Sequence, residues 1–318
     1  MNSKTCLASV HAVFLLLAAS VATATPFVFD TGDPDGRMGT ASRPASAGQF
    51  GIESADDFVL GQQTKISSAS FTGLLTGRAT TADIGSVGIE IYRVFPDDSN
   101  VARTSGAPTF STSMVPSRVN SPADVAYDAR TGSGLGFSVS SLGNFTVANS
   151  VQPGGIHPLP NTTTGGDGAV TGEEVEFAVN FVTPFDLAAG HYFFVPLVEL
   201  TGGDFLWLSA PIPIVPPGTP FPPGSTDLQT WTRDDFLYPD WLRVGTDIVG
   251  GTTFNAVFSL TGEAVASGSV PEPGSLFLVV AGSLALLVMR RLKPAVRRRA
   301  IRMPQRADRE VLSRTNCP

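Results

Sequence analysis

The sequence predicts an all-β fold, in which a single domain forms an antiparallel β-sandwich or jelly roll. Apolar and polar residues alternate with period two in several short segments, which is the pattern of strands with one buried face. Glycine and proline are dense between these segments, and no long helical period occurs between residues 25 and 269. Short strands joined by such turns are typical of sandwiches and jelly rolls.

Four segments carry the clearest strand patterns. Residues 87–92 and 174–181 alternate between apolar and polar or small side chains, so each is predicted to bury one face. Residues 191–200 are apolar on both faces, which predicts a central strand, and residues 254–261 alternate again as a last strand. The weaker strand candidates are residues 57–60, 67–75, 136–140 and 145–151.

The domain is predicted to cover residues 25–262 without an internal boundary. Residues 212–223 contain six prolines, and a proline has no N–H to donate to a central strand. This segment is therefore predicted to be a surface loop, because the chain between it and residue 262 is too short to hold a core of its own. Residues 263–269 are mostly small and are predicted to be a linker.

The N-terminus has the parts of a secretory signal peptide. Lys4 supplies a positive charge, residues 12–19 are uniformly apolar, and Ala22-Thr23-Ala24 places small residues where a signal peptidase reads them. A buried core helix is the alternative, but it has no need of such a site. Residues 1–24 are therefore predicted to be removed by signal peptidase, which leaves Thr25 as the first residue of the mature chain.

An uncharged apolar run near the C-terminus predicts a membrane helix. Residues 274–289 contain no charged side chain, and as a helix they would be about 24 Å long. No polar face interrupts the run, unlike in an amphipathic core helix. Basic residues on one flank predict that this flank lies in the cytoplasm and the preceding domain outside. The basic cluster consists of Arg290, Arg291, Lys293, Arg297, Arg298 and Arg299.

Val270-Pro271-Glu272-Pro273 stands directly before this run. Motif, apolar helix and basic cluster, in that order, resemble the PEP-CTERM sorting signal of exported Gram-negative proteins. The resemblance covers residues 270–299 and implies that an exosortase, a membrane-embedded cysteine transpeptidase-like enzyme, recognises the motif and removes the helix. The protein would then be a substrate of that enzyme, placed on the outer surface or in the extracellular matrix.

Two further observations belong with this resemblance. Such signals usually end a few residues after the basic cluster, whereas this chain continues through residues 300–318, which are predicted to form a disordered basic tail. Ala55-Asp56-Asp57-Phe58 and residues 258–262 resemble segments of exported β-sandwich domains that precede these signals. That second resemblance implies a domain without an assigned activity.

Charge and cysteine content exclude several functions for the domain. Residues 25–269 contain 25 acidic and ten basic side chains, a net charge of −15, whereas nucleic-acid binding needs a cationic surface. Cys6 and Cys317 both lie outside the domain, so it has neither a disulfide framework nor a thiolate metal site. No cofactor is predicted.

No catalytic constellation emerges from the sequence. The domain has two histidines, His157 and His191, and neither a Gly-x-Ser-x-Gly elbow nor a phosphate-binding loop. Neighbouring side chains in a strand point to opposite faces, so adjacent carboxylates are not catalytic pairs by themselves. The carboxylate pairs are Asp56 with Asp57, Glu173 with Glu174, and Asp234 with Asp235.

Two candidate ligand sites remain. Asp30, Asp33 and Asp35 lie in a glycine-containing loop that could bind calcium, with an ordinary Asp/Gly/Pro turn as the alternative. Exposed aromatic rings beside carboxylates could stack sugars, with burial in the core as the alternative. The aromatic candidates are Trp231, Tyr238 and Trp241, among acidic residues that include Asp227.

These observations predict a non-catalytic protein of the cell envelope or extracellular matrix that binds polysaccharide. The alternative is an exported hydrolase that acts on polysaccharide, which would need two carboxyl groups facing each other across a cleft. The two differ in whether the site contains such a pair of acids.

Overall fold

The computed structural model describes residues 24–46, 48–103, 118–156, 163–265 and 282–284. His157, the sorting motif, the basic cluster, the tail and nearly all of the predicted signal peptide lie outside these ranges. The chain divides into a unit up to residue 267 and a second unit from residue 268 onward, of which residues 282–284 are described, as one helical turn. Among the described residues, no helix combines the length and apolar character needed to cross a membrane.

The secondary structure of the described domain is mostly strand, which confirms the all-β prediction. Helical turns occur at Thr81–Asp83, Val101–Arg103, Gly132–Gly134 and Val244–Val249. The prolines of residues 212–223 lie in a segment without strands, as predicted. The strands are β1 (Thr25–Asp30), β2 (Met38–Ala41), β3 (Ile52–Leu60), β4 (Thr64–Leu75), β5 (Ile84–Arg93), β6 (Asp128–Thr131), β7 (Leu135–Val147), β8 (Asn149–Val151), β9 (Val170–Leu187), β10 (Gly190–Leu200), β11 (Phe205–Ala210), β12 (Trp231–Asp234), β13 (Leu242–Arg243), β14 (Asn255–Ala256) and β15 (Phe258–Ala264).

The strands form two sheets. The smaller sheet has the order β13-β12-β3-β10-β5-β6. The larger sheet runs β1-β15-β4-β11-β2-β8, and β4 also pairs with β9, which pairs with β7. The prediction of a purely antiparallel fold needs one correction, because β2 and β8 pair in parallel with Met38 opposite Asn149. The chain between these strands is long enough for the crossover that a parallel pair requires.

The two sheets pack face to face around an aromatic core. Phe194 of β10 stacks on Phe258 of β15 with ring centroids 5.0 Å apart, and Trp207 of β11 lies 6.0 Å from Phe194. The apolar residues of the 174–181 pattern are all buried in this core, and β10 lies between β3 and β5, so both of these strand predictions are confirmed. Removal of this apolar surface from water is the main source of stability.

The first and last strands of the domain are neighbours. β1 pairs with β15 from Thr25 opposite Ala264 to Asp30 opposite Ser259, and β15 pairs with β4 on its other side. The last strand ends at Ala264, two residues beyond the predicted domain end at residue 262. Both ends of the described domain therefore leave from the same end of one strand pair.

Candidate functional site

An open cavity of about 300 Å³ lies beside β12. The pairing of Trp231 with Arg243 across β12 and β13 sets one wall, and the segment that leads into β12 supplies another. The proline-rich loop contributes Ile212. The lining residues are Val119, Asn120, Ile212, Thr226, Asp227, Leu228, Gln229, Trp231, Arg243 and Thr253.

Trp231 is the aromatic residue of this cavity. Its backbone is fixed from both sides, because it pairs with Ala55 of β3 and Arg243 of β13. The residue is only 1% exposed, and among the residues that the structure describes its Nε1–H has no hydrogen-bond partner. The other two tryptophans are satisfied, since Trp207 donates to the carbonyl of Val257 at 2.8 Å and Trp241 to that of Ala123 at 3.0 Å. An unpaired buried donor destabilises the folded state by roughly 1–3 kcal/mol. A ligand that accepts a hydrogen bond from the Trp231 N–H would offset this cost.

Asp227 supplies the complementary acceptor. Its Oδ1 is buried without a partner among the described residues, and its Oδ2 accepts from Nδ2 of Asn255 at 3.3 Å. Asn255, itself 1% exposed, also has an unpaired side-chain oxygen. Burial raises the pKa of Asp227 to about 6. The cavity lining therefore combines an unused N–H donor with an unused carboxylate oxygen.

A buried carboxylate holds the Asp227 segment in place. Asp57 of β3 accepts from the backbone N–H of Leu228 at 3.0 Å and contacts Nε2 of His191 at 2.5 Å. Burial raises the pKa of Asp57 well above its usual value and lowers that of His191 to about 4, so burial favours the neutral form of each. His191, at the start of β10, thus contacts the carboxylate that holds the Asp227 segment in place.

Asp56 points to the opposite face of β3. It is completely buried, and it accepts from the backbone N–H of Ala256 at 2.9 Å and the hydroxyl of Thr230 at 3.2 Å. The prediction that adjacent carboxylates in a strand face opposite ways is confirmed for Asp56 and Asp57. Both link β3 to neighbouring segments of the chain.

The other two aromatic candidates do not join Trp231 in one platform. Trp241 is fully buried beneath the guanidinium of Arg233, 4.3 Å from its ring centroid, so it packs in the core, the alternative that the sequence left open. Tyr238 is 57% exposed, but Arg233 covers one ring face at 4.8 Å and the residue does not line the cavity. Trp231 alone of the three lines the cavity, and its ring is buried.

The structure does not assemble a calcium site at the predicted loop. Oδ1 of Asp30 accepts from the backbone N–H of Gly32 at 2.7 Å, and Oδ1 of Asp35 accepts from that of Arg37 at 2.9 Å, while Asp33 is exposed. Across the described residues, no three His, Cys, Asp or Glu side chains gather to hold a metal ion. These carboxylates stabilise a turn, which is the alternative that the sequence left open.

No family model, curated protein or solved structure matches this chain. A fold does not by itself fix an activity. What the cavity can bind is therefore set by its own side chains. The lining combines one indole N–H, one carboxylate and apolar groups such as Ile212 and Leu228 with the polar side chains of Asn120, Thr226, Gln229, Arg243 and Thr253.

The raised pKa of Asp227 predicts a pH-dependent effect of its replacement. The folded protein holds this proton up to about pH 6, whereas the unfolded chain releases it near 3.8, so this contribution to stability is lost as pH rises through about 6. Asp227→Asn should raise the free energy of unfolding by about 1 kcal/mol at pH 7.5, after allowance for partial exposure, and by little at pH 4. Urea unfolding at both pH values measures this difference.

The matched control is Asp33→Asn, which removes an exposed carboxylate that does not line the cavity. It should leave the unfolding free energy close to that of the wild type at both pH values. An Asp227→Asn effect of equal size at pH 4 and pH 7.5 would contradict the buried, protonated state of this carboxyl group.

Proposed function

We propose that this chain is an exported, surface-sorted protein whose β domain binds uncharged saccharide units of a polysaccharide at the Trp231 cavity. The observation that carries the binding proposal is that one cavity is lined by two residues with unsatisfied polar atoms in the described structure, the Nε1–H of Trp231 and the Oδ1 of Asp227. Sugar hydroxyls donate and accept hydrogen bonds, so one sugar ring can satisfy both atoms. A volume of about 300 Å³ lies at the lower end of the range for small-ligand sites.

Charge favours an uncharged ligand over an anionic one. The domain carries a net charge of −15 over residues 25–269, and Asp227 contributes a carboxylate to the cavity itself. The guanidinium of Arg243 is already paired with Asp247 at 2.6 Å, so it is not free to attract an anion. Apolar lining from Ile212 and Leu228 offers surface for the C–H face of a sugar ring.

The pKa of Asp227 also bears on the alternative of a polysaccharide hydrolase. A carboxyl group with a pKa of about 6 suits general acid catalysis. Glycoside hydrolysis normally requires a second carboxyl group across the cleft, and among the described residues that line the cavity Asp227 is the one carboxylate. Binding without hydrolysis is therefore the function that this lining supports best.

Trp231→Phe tests the binding proposal, since it removes the N–H donor and keeps most of the ring. We expect affinity for a soluble neutral oligosaccharide to fall about tenfold or more, the cost of one buried hydrogen bond. Titration calorimetry with a panel of glucose-, galactose- and mannose-based oligosaccharides measures this change. An assay for new reducing ends on the same panel identifies hydrolysis.

Trp241→Phe is the matched control, because it makes the same chemical change outside the cavity. It should leave oligosaccharide affinity unchanged. Equal affinities of wild type and Trp231→Phe would refute the site, and release of reducing ends would favour the hydrolase instead.

The localisation of the protein is a separate part of the proposal. Its support is the signal-peptide pattern of residues 1–24 and the sorting-signal pattern of residues 270–299, which predict the same topology. Signal peptidase would cleave after Ala24, and an exosortase would act at Pro271-Glu272-Pro273. The membrane helix at residues 274–289 and the jelly-roll form of the sandwich stay predictions within this proposal.

Mass spectrometry of the mature protein from its own host tests the sorting proposal. We expect an N-terminus at Thr25 and a C-terminus near Pro271–Pro273. A chain that lacks residues 270–318 should be released from the cell surface. Surface retention of that truncated chain, or an intact tail through residue 318, would contradict sorting by cleavage.

A further inference from the structure

β7 forms a long open edge of the larger sheet. It pairs with β9 from Leu135 to Val147, and within the described chain it has no strand on its other side. The register with β9 shifts between Ser141 and Gly143, so the regular part of the edge is residues 135–141. The backbone groups on this side of β7 have no strand to pair with, which makes the edge a template for another strand.

Apart from the register shift after Ser141, β7 lacks the charges and prolines that usually protect an edge. Residues 135–147 include no charged side chain and no proline. Phe137 is 42% exposed although its ring lies 6.4 Å from Phe177 of the core, and Val139 is only partly buried. A short uncharged segment of apolar and hydroxyl side chains of this kind pairs readily with another strand.

The other described edges are protected. β1 contains Pro26 and Asp30, and β6 has four residues that include Asp128 and Arg130. β8 and β13 are three and two residues long. Short strands, prolines and charges each oppose pairing with another chain. Of these described edges, β7 is therefore the one that is long and free of both charge and proline, and a second copy of this chain would present the same uncharged strand.

We propose that residues 135–141 pair with the same segment of a second copy of this chain, in antiparallel register centred on Ser138. This register places Phe137 opposite Val139 of the second copy, and the two-fold axis repeats the contact. Aromatic side chains opposite β-branched ones stabilise antiparallel pairs, and the pairing covers the exposed part of the Phe137 ring. A seven-residue strand is only about 23 Å long, so the dimer is expected to be weak.

Disulfide trapping in the full chain tests this contact. Cys6→Ser and Cys317→Ser remove the two native thiols, and Ser138→Cys then introduces one thiol at the proposed two-fold axis. Opposed residues of an antiparallel pair lie within disulfide range, so oxidation in mild detergent should give about fivefold more covalent dimer than a control thiol. The control is Val182→Cys on β9, at a side chain that is 72% exposed.

A second substitution separates strand pairing from chance collision. Ser140→Lys, added to the Ser138→Cys chain, places a charge on the edge and should return the dimer yield to that of the Val182→Cys control. Ser140→Ala should leave the yield high. Equal yields from the thiols at positions 138 and 182, or a high yield that Ser140→Lys does not lower, would overturn the proposal.

Discussion

Arg233→Met is expected to lower the free energy of unfolding by about 3–5 kcal/mol, because it leaves the partners of a buried cation unpaired. The guanidinium donates through Nε to Glu53 at 2.6 Å. One terminal nitrogen donates to the carbonyls of Asp124 at 3.0 Å and Pro239 at 2.9 Å, and the other to the hydroxyl of Tyr92 at 3.0 Å. Arg233 is 2% exposed, so water cannot replace these bonds without opening the structure.

The comparison substitutions make the Arg233 prediction specific. Arg233→Lys keeps the charge but cannot reproduce the planar fork of donors, so its loss should be intermediate. Arg37→Met removes a cation whose side chain is 60% exposed and should change stability by about 0.5 kcal/mol or less. Urea unfolding followed by tryptophan fluorescence measures all three, and an Arg233→Met loss no larger than that of Arg37→Met would contradict the network.

Phe258→Ala is expected to cost about 3–5 kcal/mol, the range for truncation of a buried aromatic residue. Phe258 is 1% exposed and joins the two sheets at the centre of the core. Its ring centroid lies 5.0 Å from that of Phe194, 5.3 Å from Phe29, 5.9 Å from Trp207 and 6.4 Å from Phe58. Loss of the ring opens a cavity bordered by both sheets.

Phe258→Leu retains much of the buried volume and should cost less than half as much. Val182→Ala on β9 is the surface control, since Val182 is 72% exposed, and its effect should stay within about 0.5 kcal/mol. Thermal and urea unfolding both measure these differences. A Phe258→Ala protein as stable as the Val182→Ala protein would show that the sheets do not depend on this core.

Long alternating segments made the central strands predictable. Residues 174–181 and 191–200 carry enough apolar positions to define a period, and they form parts of β9 and β10. β13 has only two residues, too few to carry a period, and tertiary pairing alone fixes it. The prediction for β3 covered only residues 57–60, whereas the strand begins at Ile52. Asp56 within it is buried and accepts from the backbone N–H of Ala256.

The cavity could be predicted only in part, for a similar reason. Trp231 and Asp227 stand four residues apart in a polar segment, and the sequence drew attention to both. Trp241 lies in an equally polar segment, but Arg233 packs on its ring from another strand and seals it in the core. No sequence pattern around Asn255 predicts its role, because its hydrogen bond to Asp227 joins residues that are distant along the chain. The burial of Trp241 and the hydrogen bond of Asn255 both depend on tertiary contacts, which a sequence pattern does not show.

The position of β15 between β1 and β4 has a consequence for the timing of folding. During synthesis, residues 25–30 leave the ribosome first, but their pairing partner at residues 258–264 is made last. A nascent chain therefore cannot complete the larger sheet until translation of the domain is finished, and such distant contacts make folding slow. This delay leaves the larger sheet incomplete during elongation, and a chain that has not finished folding is the form that the proposed export across a membrane requires.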